Sequence, residues 1–179
     1  MTIKILSLAV LLAFTQAALS EDVNDLFAAA IAGKTERLES LLAQGLDVNA
    51  KTAMGRTALM GASFNGNVRN VKLLLGYGAD VNVADNMGLT ALMDALVFGE
   101  EEIVELLIAA GADVNAVDKN NNTVLARAKK TTHKKIIKML EQAGAKQEIE
   151  NTEDSSEQNK QTDSVEQTTT ETDKAKQKK

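Results

Sequence analysis

A period of 33 residues constrains this chain more than any other feature. GRTALM at Gly55 returns as GLTALM at Gly88, and Gly45, Gly78, Gly111 and Gly144 recur at the same interval of 33. The triplet DVN is found at Asp47, Asp80 and Asp113. Self-similarity at this interval means stacked supersecondary units, each too small to bury its apolar face alone. The folded part is therefore an array in which neighbours complete one another. Aromatic residues are 3% of the 179 and Trp is absent, so Leu, Val, Ile, Ala and Met must build the core. That composition suits small, closely packed helices and argues against a large β-sandwich. An array of ~120 residues carries roughly 6–18 kcal/mol of stability, enough for an independent domain.

Within one period the pattern reads turn, short helix, turn, second helix, loop. Gly55 opens the unit, and Thr57 precedes Ala58, Leu59 and Met60, where its hydroxyl can cap the free N–H groups of a helix start. Gly66 ends this helix. The next spans Val68 to Gly76 and places Val71, Leu74 and Leu75 on one face. Gly78 supplies the left-handed terminus, and ADVNVAD leads out in an extended turn.

These features together resemble the ankyrin repeat: a TPLH-type helix start, a glycine between helices, a Val-x-x-Leu-Leu helix and a GADVN turn. The resemblance implies an all-α ankyrin-repeat solenoid of about four helix-turn-helix repeats with hairpin-like turns, over residues 21–146. The copies fall at about 21–51, 52–84, 85–117 and 118–146. Copies two and three match most fully. Copy one lacks the leading hairpin and reads as the amino-terminal cap. Copy four keeps Thr123, Leu125, Ile137, Leu140 and Gly144, has Thr132 in place of the middle glycine, and reads as a polar carboxy-terminal cap. Ala58 and Ala91 replace the family's proline, and Met60 and Met93 its histidine, which predicts looser turns.

The family mostly binds proteins through hairpin tips and the concave faces of the first helices, so the resemblance implies a protein partner and a surface. By position, Met54, Arg56, Met87, Leu89, Lys119 and Asn122 fall on successive tips. Ile31, Phe64, Val97 and Phe98 fall along the groove, with Asn65 and Asp94 beside them. Flexible Met and flat aromatic side chains suit a protein-binding surface. The alternative for Phe64 and Val97 is that they fill gaps between repeats.

Charge is uneven along the array. Copy three carries Asp85, Asp94, Glu100, Glu101, Glu102, Glu105 and Asp113, and copy four carries Lys119, Arg127, Lys129, Lys130, Lys134, Lys135 and Lys138. This reads either as a surface that orients a charged partner or as a solvated helix face beside a lysine-rich cap. Glu101 and Glu105 are like charges at i and i+4, a mildly unfavourable pair that a cation or a basic partner would relieve.

Several chemistries find no support. A net charge of −5 does not point to nucleic acid, and the absence of Cys excludes disulfides, thiolate zinc sites, a cysteine nucleophile and a lipid-bearing cysteine. The single histidine, His133, lies among lysines and reads as a surface residue. No phosphate-binding loop, nucleophile elbow or metal-ligand cluster occurs. The expectation is a non-enzymatic, monomeric protein–protein interaction module with no cofactor, no metal and no catalytic residues. Two other readings are a secreted factor that binds a host protein and an accessory subunit whose active site a partner completes.

Residues 1–20 have the layout of a secretory signal peptide: Lys4, the apolar run ILSLAVLLAF, then TQAALS, with Ala18 and Ser20 at −3 and −1 for cleavage before Glu21. The apolar run is shorter than the ~20 residues of a membrane span. An uncleaved anchor or a buried first helix is the alternative. A cleaved signal implies export to a periplasm or the cell exterior, with no stable membrane insertion afterwards. Residues 147–179 have only Ile149, Val165 and Ala175 as apolar members, too few to offset ordering entropy, so a disordered polar tail is expected there.

Overall fold

A computed structural model describes residues 22–146. The signal peptide expected at 1–20 and the tail expected at 147–179 lie outside the described residues. Helix α1 covers 22–31. It is followed by α2 (Thr35–Ala43), α3 (Ala58–Phe64), α4 (Val68–Gly76), α5 (Ala91–Ala95), α6 (Glu101–Ala109), α7 (Val124–Lys129) and α8 (Lys134–Gln142). First helices stack on first helices, α3 on α5 and α5 on α7, while second helices stack as α2, α4, α6, α8. The result is a two-layered, all-α solenoid of four helix pairs. Among the described residues no β-strand forms; a single bridge joins Val117 to Thr123. No described helix is long and apolar enough to cross a membrane.

The first helices begin where threonine can cap them. Thr57, Thr90 and Thr123 are extended, and their hydroxyls accept from the backbone N–H groups of Met60, Met93 and Ala126. The second helices lack such caps, and at α4 the residue in that place works between copies instead. Asn67 donates from Nδ2 to the carbonyls of Ala30 and Ile31, at 2.9 and 2.7 Å, closing the carboxyl end of α1. In the hairpins, Gly55 and Gly88 have φ of 76° each, and Asn121 holds the equivalent place in copy four at 59°. Asparagine is among the few side chains that enter this region readily, so the last hairpin keeps its course without glycine.

One apolar core runs through all four copies, with Leu38, Leu59, Met60, Leu74, Leu92, Met93, Ile103, Leu107 and Leu140 fully or almost fully buried. Met60 and Met93 thus exchange the hydrogen bonds of the family's histidine for apolar burial. The hairpins are nonetheless tied. The Asn86 N–H donates to the Met54 carbonyl at 3.0 Å and the Lys119 N–H to the Met87 carbonyl at 2.9 Å.

The DVN triplets form a ladder. Each aspartate, Asp47, Asp80 and Asp113, accepts from the N–H two residues on, at 2.9 Å, which sets the turn. Each asparagine then reaches the next copy: Asn49 accepts from the Asp80 N–H, Asn82 from that of Asp113 and Asn115 from that of Lys146, all at 2.8 Å. The triplet therefore shapes its own turn with one side chain and joins the following turn with another.

Candidate protein-binding surface

The structure divides ten of the twelve residues expected on the binding surface into two groups. Met54 and Met87 stand out from successive hairpin tips, 71% and 51% exposed, and Lys119 is exposed on the third tip. Phe98 and Val97, just past the end of α5, are 59% and 43% exposed. Phe64, at the end of α3, is half-buried and meets Phe98 edge to face, with ring centroids 5.3 Å apart and an interplanar angle of 71°. That contact joins the groove residues of copies two and three into one apolar strip.

The other four turn inward. Asp94 is only 4% exposed, and Nη2 of Arg56 donates to its Oδ2 at 2.6 Å. Arg56 also lies 3.9 Å from Asp85 and holds its guanidinium 5.7 Å from the centroid of Phe27, so it links copies one, two and three. Burial pushes the Asp94 carboxyl up to about 6, against the opposing pull of Arg56. Leu89 packs against the core. Asn122 donates its amide to Asp118 at 3.1 Å, while its Oδ1 accepts from Nζ of Lys130 at 2.7 Å. Asp118 itself is buried. Burial would raise its pKa, but hydrogen bonds from Asn122, Asn120 and Arg127 together outweigh that and hold it below the usual carboxylate range.

Why Asp94 can occupy the groove side of α5 is visible one copy earlier, where Gly61 stands in its place. A Cβ on Gly61 would lie 2.8 Å from Ile31 and 3.0 Å from Phe27, so α3 must be bare there for α1 to pack. Between α5 and α7 the same position holds Asp94 and then Arg127, which is bound to Asp118 at 2.8 Å.

The charged helices pair across copies. Nζ of Lys135 sits 2.5 Å from Glu101, and Nζ of Lys72 is 2.7 Å from Glu102. The cation that Glu101 and Glu105 call for is therefore a lysine of the next copy, and its hydrogen bond to Glu101 raises the Lys135 pKa. His133 corrects another expectation. It is half-buried rather than on the open surface, and a Cβ on Gly99 would lie 2.3 Å from its Cε1. The imidazole occupies space that only glycine leaves open.

Sequence reading did not single out a cleft beside the apolar strip, of about 190 Å³, lined by Met93, Leu96, Val97, Arg127, Lys130 and Thr131. The period could have shown it: Lys130 and Thr131 lie 33 residues after Val97 and Phe98, so they belong to the same groove row.

A comparison with curated proteins yields no match. A family profile described as "Ankyrin repeats (3 copies)" matches residues 26–118 and again 86–153. Together the two matches span most of the chain and all four helix pairs, and the chain belongs to the ankyrin-repeat family.

Proposed function

We propose that this protein is a monomeric, exported binding module that holds or stabilises a partner protein through its hairpin tips and groove. The observation that carries this reading is the apolar strip. Met54, Met87, Val97 and Phe98 are all large and well exposed on the tips and groove side, while the array's other large apolar residues are mostly buried or half-buried. Ankyrin repeats are protein-interaction modules, which supports the binding class. Exposed Met and Phe are side chains that gain most when a partner covers them. The layout of residues 1–20 supports action in a periplasm or outside the cell.

The test is affinity capture from native extract and culture fluid with the wild-type protein and a Met54→Ser, Met87→Ser, Phe98→Ser variant. One stoichiometric partner, lost in the variant, is the expected result. The variant's melting midpoint should stay within about 3 °C, since exposed substitutions cost little. Loss of the fold in the variant would assign these residues to the core instead. A mature chain beginning at Glu21, recovered outside the cytoplasm, is the expected result for export.

A further inference from the structure

We infer that the cleft between α5 and α7 takes one large apolar side chain of the partner, followed directly by a carboxylate that pairs with Lys130. This rests on the binding reading above and names the chemistry of what is bound. The cavity of about 190 Å³ falls below the roughly 300–1,000 Å³ of sites that enclose cofactors or other small molecules. It has room for a side chain of leucine or phenylalanine size. Met93 and Leu96, both buried, form its floor, and Val97 stands exposed at its edge. Such a surface gains by excluding water from an inserted apolar group.

The rim determines what lies next to that group. None of the six lining residues is acidic, and two are cationic. Arg127 already has its carboxylate, Asp118, at 2.8 Å. Lys130 differs: its ammonium is held by the neutral amide oxygen of Asn122 at 2.7 Å, and among the described residues no carboxylate lies within ion-pair distance of it. Its charge is therefore oriented at the cleft edge and not neutralised by a carboxylate of the array. A partner segment that fills the cleft with an apolar side chain sets its next residue at this rim, where a carboxylate is favoured over a neutral or basic group.

The experiment titrates the isotope-labelled protein with three Gly-Ser nonapeptides carrying a central Leu-Asp, Leu-Asn or Ala-Asp pair, and follows backbone amide shifts. The expected result is perturbation centred on Leu96, Val97, Lys130 and Thr131. The Leu-Asp peptide should bind about threefold to fivefold more tightly than Leu-Asn, the size of an exposed ion pair. It should also bind more tightly than Ala-Asp. Lys130→Gln should erase the preference for Asp over Asn while keeping that for Leu over Ala. Lys134→Gln, an exposed lysine outside the cleft, should keep both. Equal binding of Leu-Asp and Leu-Asn, shifts centred elsewhere, or no shifts at millimolar peptide would overturn the inference. Should Lys130→Gln bind a captured native partner as tightly as wild type does, while the Met54, Met87, Phe98 variant loses it, the binding reading stands and the cleft assignment fails.

Discussion

The junction between copies one and two is built differently from the two junctions that follow it. In the first, Asn70 is fully buried, takes a hydrogen bond from the Thr35 hydroxyl at 2.8 Å and donates to the Ala30 carbonyl at 3.1 Å. Asn65 and Asn67 add donors to the Ile31 carbonyl at 2.9 and 2.7 Å, so three asparagines of copy two close the end of α1. At the later junctions, Ile103 and Ile136 hold the place of Asn70 and bury apolar surface instead. The order of helices is the same in each case; the forces are not. An amide network fits only a neighbour whose donors and acceptors match, whereas isoleucine accepts any apolar face of suitable shape. At this position the amino-terminal junction is thus specified by direction, and the later ones by area.

The comparison breaks most sharply if the polar residue is moved. Ile103→Asn loses apolar burial and leaves a buried amide without its matching partners, so unfolding in urea should show a loss of about 4 kcal/mol or more. A loss under 1 kcal/mol would mean that the second junction already has polar partners to offer.

A smaller effect should come from pH at the junction of copies two and three. Asp94 has a folded pKa of about 6 against an ordinary value of 3.8, so between these values the folded state binds more protons than the unfolded. Stability from this group is full at low pH and is lost as pH rises through about 6. Relative to Asp94→Asn, wild type should lose on the order of 2–3 kcal/mol between about pH 4 and pH 7. Parallel stability profiles for the two proteins would show that Arg56 offsets the burial.

At the first junction, Asn70→Ala should cost about 2 kcal/mol by stranding the buried Thr35 hydroxyl and leaving a small cavity. Combining Asn70→Ile with Thr35→Val should recover most of that, because both polar partners are then gone and the junction copies its neighbours. Failure of the double variant to recover would show that direction at this junction matters beyond its pairwise energy. The smallest change is expected from Asn82→Ala, which removes one rung of the exposed ladder and should cost about 1 kcal/mol by thermal unfolding.

Much of the fold was legible because period and turn chemistry are local. The bounds of α4, Val68 to Gly76, follow from apolar spacing and glycine, and Thr57 caps α3 as its place before an apolar run implies. The forces at the junctions were less legible. Asn70 within VRNVKLLL looks like a solvated residue until it is aligned with Ile103 and Ile136, and only then does its burial follow. The Arg56–Asp94 pair spans 38 residues, and needs the tip of one copy to reach the first helix of the next. Neither spacing nor composition carries that distance. His133 looked exposed for a similar reason, since its neighbour Gly99 belongs to another copy.

The ladder of Asn49, Asn82 and Asn115 makes every junction alike in its outermost bonds, and this has a consequence for how the chain tolerates lost residues. Excising 85–117 whole would leave Ala84 running into Asp118, with Asn82 now facing the N–H of Lys146 in place of that of Asp113. The N–H of Lys119 would likewise meet the Met54 carbonyl that Asn86 now takes. Removing one residue between Asp85 and Asp113 would set Asn82 out of step with the N–H that it accepts from, while Asn115 and Lys146 would shift together and keep theirs. A shorter array with every rung intact is thus a smaller disturbance than a nearly full-length one with a rung misaligned, and the unit in which this molecule can grow or shrink is the period itself.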